Sequence, residues 1–275
     1  MTFSVLDLDT LTRVLEDAAR IEIMPLFRKL SDDAIRQKSS ATDLVTTADE
    51  AAERRITADL LNAFPGALVI GEEASSKDPT AQEQLHSARL AFTVDPIDGT
   101  LNFVSGLPVF GTMAAVVMRG EIIASVIHDP ISGENAVAVR GKGAWIKAAD
   151  GVQRALHVTD PVPVSRMTGM ASWRYFSEPL RSHIAAQLPR TEDASSLRCC
   201  AHEYRLAAAG WCHYLLYGQL MPWDHAPGTL LFQEAGGYCA LLDGSPYRPG
   251  YPAEGLLCAP NEESWTMLRD VLIGS

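Results

Sequence analysis

The sequence predicts an α+β or α/β fold in which helices cover sheets, and three observations carry that expectation. Apolar residues recur at helical spacing near the N-terminus. Apolar runs of strand length fill the middle. Strand and helix patterns then alternate after residue 166. The order contains no internal repeat and no low-complexity segment. With 275 residues, the chain suffices for one large domain or two intimate halves around a sizeable core.

Residues 8–30 place Leu8, Leu11, Val14, Leu15, Ala18 and Ala19 at three-and-four spacing, a helix that Pro25 kinks or ends. Thr47 and Glu50 fit a capping box, opening a helix that runs to Phe64 and stops at Pro65-Gly66. "ALVIGEE" (67–73) and "LAFTVDP" (90–96) read as buried strands, with a loop at "SSKDPTAQEQ" between them. "GTMAAVVMRGEIIASVIHDP" (111–130) reads as two strands turning at Arg119-Gly120-Glu121. "ENAVAVRGKGAWI" gives a strand, a glycine turn and a return; its spacing is not that of a P-loop.

A boundary falls near "HVTDPVPVSR" (157–166), dividing the chain into halves of residues 1–160 and 161–275 that form one compact unit. Beyond it, "MTGMAS", "CHYLLYG", "YCALLD" and "GLLCAP" read as strands. "EPLRSHIAAQL" and "AHEYRLAAAG" read as helices. "DHAPGTLLFQEAGG" reads as a helix with Pro227 in its first turn and Gly236-Gly237 at its stop. Asn261 caps a closing helix.

Net charge is −11 and no basic run is present, which argues against nucleic acid as a direct partner. No stretch reaches the length of a membrane span, and residues 1–20 lack the basic start of a signal peptide, so a cytoplasmic location is expected. Cys199, Cys200, Cys212, Cys239 and Cys258 form no CxxC pair and read as thiols in apolar surroundings. His86, His128 and His157 read as surface or loop residues, and Trp173, Trp211 and Trp265 as packing residues, with Trp223 beneath Asp224.

Four stretches put carboxylates at element ends, where such folds build sites. They are Asp49 in a helix first turn, Glu72-Glu73 after a strand, Asp95 and Asp98 after a strand, and Asp224 in "MPWDHAPG". Across the Pro-Ile step of "DPIDGT", Asp95, Asp98 and the Ile97 carbonyl can aim at one point. Gly99 lets a ligand oxygen approach the backbone, and the amides of Gly99 and Thr100 can take a phosphate. An oxygen-only donor set suits Mg²⁺, Mn²⁺ or Ca²⁺ rather than Zn²⁺. Each stretch alone also suits an ordinary polar turn, a strand end or a helix start; convergence in space decides.

Taken together, "GEE" (71–73), "DPIDGTLNF" (95–103) and "WDHAPG" (223–228) resemble the three signature segments of the inositol monophosphatase family, in order and with similar spacing. "KSSATDLVTTAD", "GKGAW" and "EAGG" resemble further landmarks, so the likeness covers nearly the whole chain. The resemblance implies a layered αβαβα sandwich of the inositol monophosphatase and fructose-1,6-bisphosphatase type. It also implies a homodimer and Li⁺-sensitive, Mg²⁺-dependent hydrolysis of a small phosphorylated substrate, with two to three ions per subunit and Mn²⁺ as an alternative. Most ligands would lie in the first half. Glu72, Asp95 and the Ile97 carbonyl would hold one metal, Asp95, Asp98 and Asp224 a second, and a third would lie near Glu72. Glu72 and Thr100 would orient a metal-activated water, with Asp49 supporting Thr100. Asp98, Gly99 and Thr100 would bind phosphate, and Lys38 and Glu73 would support the site.

The likeness weakens on the leaving-group side. Tyr217 stands where inositol-specific members carry a glutamate. "LRCCAHE" (197–203) replaces a small Gly-Ser/Thr-Ala segment, and His213 replaces an aspartate. If the substrate has changed, Arg198, His202, Glu203, Arg205 and Tyr217 line the altered pocket. Arginines there suit a second anionic group, as in a nucleotide bisphosphate or NADP, and Glu203 suits an amino alcohol such as histidinol phosphate. Neutral drift in a broad pocket is the alternative. A regulatory protein acting through a partner and a fructose-1,6-bisphosphatase-like enzyme are the remaining readings.

Overall fold

The computed structural model describes residues 4–38, 40, 43–76 and 78–274. Its first helix, α1 (Val5–Ala18), is followed by a π-turn (Ala19–Ile23) and a 3-10 turn (Met24–Leu26) that holds Pro25, so the expected 8–30 helix breaks into three pieces. A small hairpin follows, β1 (Ile35–Gln37) with β2 (Leu44–Thr46). Then come α2 (Thr47–Ala63), β3 (Leu68–Gly71), a one-turn α3 (Glu72–Ser75), β4 (Ala91–Asp98) and α4 (Thr100–Val104). Strands β5 (Gly111–Met118), β6 (Glu121–His128), β7 (Asn135–Val139), β8 (Gly143–Lys147) and β9 (Gln153–Ala155) complete a seven-stranded sheet in sequence order from β3. Only β3 and β4 pair in parallel; the other neighbours are antiparallel.

After residue 166 the elements are β10 (Thr168–Ser172), α5 (Leu180–Gln187), β11 (Asp193–Ser195), α6 (Cys200–Ala208), β12 (Tyr214–Tyr217), α7 (Pro222–Glu234), β13 (Tyr238–Leu241), β14 (Leu256–Ala259) and α8 (Glu262–Leu272). They build a five-stranded sheet of order β11-β10-β12-β14-β13.

Alternating side chains sort these elements into layers. On one face of the larger sheet, Phe92, Val94, Ala114, Val116, Ala124 and Val126 meet Leu11 and Leu15 of α1 and Ile56 and Leu60 of α2. On the other face, Met113, Ala115, Val117 and Ile127 meet Ala201 and Tyr204 of α6 and Leu230 and Leu231 of α7. Those helices also receive Leu215, Tyr217, Leu256 and Cys258 from the smaller sheet. Its far face, with Tyr214, Leu216, Leu257 and Ala259, is covered by Ile184 of α5 and Trp265 and Leu268 of α8. The order is helices, sheet, helices, sheet, helices: the expected αβαβα sandwich. Both sheets are covered on both faces, which is why β4 and β5 read as unbroken apolar runs.

Several local readings need correction. The α2 cap is Thr46, not Thr47, and its box is closed by Asp49, not Glu50. Helix α7 starts at Pro222, two residues earlier than expected; Pro222 is its first-turn proline and Pro227 lies inside it. The "SSKDPTAQEQ" loop contains a 3-10 segment, Pro79–His86. His128 is buried at the end of β6 with Nδ1 at 3.0 Å from Asn135 Oδ1. Trp211 is 77% exposed and packs no core, whereas Trp223 is buried. All five cysteines are free thiols. Four are buried and Cys200 is partly so; Cys239 and Cys258 face each other across paired strands.

Candidate metal and phosphate site

Strand β4 carries the centre of the site. Its register with β5 shifts between Asp95 and Asp98, so Pro96 and Ile97 form a bulge, a device that re-aims side chains beside sites. The Thr112 hydroxyl donates to the Pro96 carbonyl at 2.8 Å and steadies it. Gly99 then adopts φ +88°, and a Cβ there would lie 3.0 Å from the Val109 carbonyl, so only glycine fits this turn into α4.

Three carboxylates converge from two elements. Asp95, Asp98 and Asp224 each offer an oxygen, all within 4.8 Å of one another. Asp224 enters from the first turn of α7, where the helix N-terminus favours negative charge. Burial first, then the charge of Glu72 and the other aspartates, hold Asp95 and Asp224 well above the ordinary carboxylate range. Asp98 reaches only about 6, because the Ala201 amide, the Cys199 thiol and the Cys200 amide at the start of α6 donate to it against burial. Asp95 Oδ1 is buried without any hydrogen-bond partner. An orphaned carboxylate oxygen inside a ring of like charges is what a bound cation repairs, so these residues fit a divalent metal.

Around the ring stand the remaining acids. Glu72 opens α3 directly after β3, and Lys38 Nζ bridges Glu72 Oε1 at 2.8 Å and Glu73 Oε1 at 2.7 Å. Burial opposes the Lys38 charge, but the two glutamates outweigh it and raise its pKa. Glu73, buried and beside Glu72, is pushed up to about 8 despite Lys38. Asp49 is fully buried. One oxygen closes the α2 capping box with Thr46; the other accepts from Thr100 Oγ1 at 3.2 Å. Burial raises it to about 7, with the Thr46 hydroxyl opposing. Thr100 Oγ1 also lies 3.0 Å from the Ile97 carbonyl, so its one proton has two acceptors and its lone pairs remain for a water.

The leaving-group candidates separate. Arg198 is exposed, with φ +54°. His202 Nε2 lies 3.1 Å from the Phe110 carbonyl. Glu203 is 1% exposed and accepts from the Leu197 amide at 2.8 Å and Ser196 Oγ at 3.1 Å. Burial raises it to about 7, opposed by the Leu197 amide and the Tyr217 hydroxyl, although that hydroxyl does not complete a hydrogen bond. Arg205 is committed to Asp129 and Glu134, both at 2.9 Å, and helps hold Asp129 at about 2 against burial. Tyr217 is buried between the rings of Tyr204 and His225. Glu203, Arg205 and Tyr217 therefore serve the interior of this region rather than line an open pocket.

Sequence reasoning passed over two residues. Glu53 accepts the Glu73 and Ala74 amides at 2.7 and 2.8 Å and so caps α3 from α2. Its signal was an acid four residues after Asp49 on the apolar face of one helix. Cys200 Sγ lies within 4.8 Å of donor atoms of Asp224 and His225. The His225 nitrogens, however, already meet the Tyr204 hydroxyl at 3.1 Å and the Gln219 carbonyl at 2.9 Å. Burial lowers the His225 pKa to about 4, so the ring is neutral.

The profile of the inositol monophosphatase family matches residues 7–272. An inositol-1-monophosphatase of Rhizobium meliloti is 31% identical over 236 residues, covering 84% of this chain and 83% of that protein. The Nus factor SuhB of Escherichia coli is 29% identical over 214 residues, 77% of each chain. The inositol monophosphatase-II structure from Staphylococcus aureus superposes with a TM-score of 0.80 at 23% identity, over 98% of this chain and 96% of that one.

Proposed function

Because this chain belongs to the inositol monophosphatase family, we propose that it is a Mg²⁺-dependent phosphomonoester hydrolase acting on a small phosphorylated alcohol. The observation that carries the reading is the Asp95–Asp98–Asp224 convergence around an unpartnered, buried Asp95 oxygen. Glu72, Asp95 and the Ile97 carbonyl would hold one cation, and Asp95, Asp98 and Asp224 a second, and a third would lie near Glu72. The oxygen donors suit Mg²⁺, with Mn²⁺ as substitute. Such cations, when bound, supply Lewis acidity to phosphate oxygens and lower the pKa of water.

The protein's own groups supply orientation. Thr100 Oγ1, fixed by Asp49 and the Ile97 carbonyl, accepts a hydrogen from the attacking water, and Glu72 takes the other side. The Gly99 and Thr100 amides and the Asp98 side contact phosphate. Lys38 and Glu73 hold Glu72 in place. A homodimer in the cytoplasm belongs to the same reading. Among the described residues no helix is long and apolar enough to cross a membrane.

Phosphate release from a panel tests this: inositol 1-phosphate, histidinol phosphate, adenosine 3′,5′-bisphosphate, NADP and fructose 1,6-bisphosphate, each with Mg²⁺, EDTA or Li⁺. Release that requires Mg²⁺ and falls with Li⁺ is expected; no release from any ester would refute it. A regulatory role through a protein partner is the second reading, favoured by the likeness to proteins named Nus factor SuhB. A stoichiometric partner in a pull-down, with no turnover of any ester, would favour it instead.

A further inference from the structure

Helix α3 has a single turn and carries Glu72 at its first position. Its cap residue, Gly71, has no side chain with which to receive the first-turn amides. A distant carboxylate receives them instead. Glu53 of α2 accepts the Glu73 amide on Oε2 at 2.7 Å and the Ala74 amide on Oε1 at 2.8 Å. Glu53 is buried, and both of its oxygens are committed to this turn. Gly71 is fitted to the same contact. Its φ of −98° suits any residue, so the backbone does not require a glycine there. Space requires it: a Cβ on Gly71 would stand 2.4 Å from the Glu53 carboxyl carbon.

The same face of α2 reaches a second part of the site. Asp49 lies one turn before Glu53, and both are buried. Asp49 accepts from Thr100 Oγ1 at 3.2 Å, at the start of α4. Side chains four apart on a helix stand about 5–6 Å from each other. One turn of α2 therefore sets the spacing between the starts of α3 and α4, which carry Glu72 and Thr100. Lys38 also meets Glu72 Oε1, at 2.8 Å, but shares its ammonium with Glu73. Glu53 instead holds the backbone from which Glu72 projects. After burial, Glu72 exerts the largest charge effect on both Asp95 and Asp224, so its placement matters to the whole ring.

We propose that Glu53 is a positioning residue: by gripping the first-turn amides of α3 it aims Glu72 at the acidic ring, and so sets the affinity for the cation that Glu72 would hold and the rate of the step that Glu72 orients. The rate part rests on the phosphatase reading above; the binding part rests only on the cation site. Both Glu53 oxygens are taken by amides, so Glu53 is not itself a ligand. It acts as hydrogen-bonded partners behind metal ligands do, whose loss costs about 10–100-fold in metal affinity or activity. A carboxylate is what the place demands, because two N–H donors meet two oxygens. Glutamine has the same shape but brings one oxygen and one NH2, and the NH2 is set against an amide N–H.

The test is Mg²⁺ binding by calorimetry with no ester present, beside steady-state phosphate release from inositol 1-phosphate and 2-glycerophosphate. The proteins are the wild type, Glu53→Gln, Gly71→Ala, Glu72→Gln and the Glu53→Gln/Glu72→Gln double variant. Glu53→Gln should weaken Mg²⁺ binding about tenfold or more and raise the Mg²⁺ concentration for half-maximal rate to match. Its kcat should fall about 10–100-fold with the ester's KM little changed. Gly71→Ala, whose methyl displaces the Glu53 carboxylate, should give the same profile from the other side of the contact. The double variant separates positioning from general loosening: once Glu72 has lost its charge, Glu53→Gln should weaken Mg²⁺ binding by less than about twofold more. If Glu53→Gln fails to fold, Gly71→Ala with and without Glu72→Gln reads the same coupling. Wild-type Mg²⁺ affinity in Glu53→Gln and Gly71→Ala would overturn the assignment, as would a full tenfold loss added on top of Glu72→Gln. No release from any ester by the wild type, with the Mg²⁺ differences intact, would refute the phosphatase reading and still support Glu53 as the residue that aims Glu72.

Discussion

Asp95→Asn should have opposite effects on the protein without and with Mg²⁺. The Asp95, Asp98 and Asp224 oxygens lie within 4.8 Å of one another. At an effective dielectric of about 20, two full charges at that separation repel by about 3.5 kcal/mol, so a fully ionised Asp95 between two ionised neighbours would face about 7 kcal/mol or more. The metal-free protein avoids most of this by keeping protons. Burial and neighbouring charge raise Asp95 and Asp224 well above the unfolded value, and Asp98 to about 6. A raised carboxyl pKa contributes stability that is complete below the unfolded value near pH 4 and drains away as pH rises through the folded value. At pH 8 in EDTA the wild type therefore carries the residual repulsion, and Asp95→Asn removes part of it. The variant should be more stable by roughly 1–3 kcal/mol, or about 2–10 °C in Tm for a chain of this size. In millimolar Mg²⁺ the order should reverse. The wild type gains about 3 kcal/mol at a hundred times Kd and the variant gains little, while phosphate release falls on the order of 10²-fold or more. Thermal unfolding in both buffers and a phosphate assay read all three effects. A variant that loses Tm in EDTA, still gains it with Mg²⁺ and keeps near-normal turnover would refute the cation assignment.

Thr100→Val removes the hydroxyl between Asp49 and the Ile97 carbonyl; kcat should fall about 10–10²-fold with KM near the wild-type value and circular dichroism unaltered. Glu203→Gln keeps an acceptor for the Leu197 amide but cannot ionise. Burial raises the Glu203 pKa from 4.5 to about 7, so its stabilisation is present below about pH 4.5 and lost as pH passes 7. Urea unfolding should find the wild type losing about 3 kcal/mol relative to the variant between pH 5 and 9; parallel curves would refute the burial argument. Gly228→Ala places a methyl 2.0–2.3 Å from the Tyr204 ring and should cost about 1–3 kcal/mol or more in denaturant unfolding, but little when measured against a Tyr204→Ala background.

The layered fold was legible where pattern and burial coincide. The β5–β6 pair announced itself through two long apolar runs around Arg119-Gly120, both of which adopt positive φ in the turn. Strands β1, β2, β9 and β11 escaped because each has three residues and its identity comes from a partner strand, not from its own alternation. The box at α2 slipped by one residue because two hydroxyls, Thr46 and Thr47, precede two acids, Asp49 and Glu50; only backbone geometry chooses between them. The acids of the site were recognisable by position at element ends, and the family resemblance joined them. Depth was not recognisable. Arg205 and Glu203 have the chemistry of ligand contacts, yet α6 turns both inward, where Asp129, Glu134 and Leu197 occupy them.

Helix α6 meets glycine at two of its closest contacts. A Cβ on Gly111 would approach the Ala201 methyl to 2.7 Å, and one on Gly228 would enter the Tyr204 ring, while its first amides grip Asp98. The helix has no slack in any of these directions. It works as the fixed jaw of a caliper: the span from Asp98 to the start of the helix is set by these contacts, and sliding the helix would break them together. Exchange of the exposed side chain at 198, just before the helix, therefore leaves the gauge itself untouched.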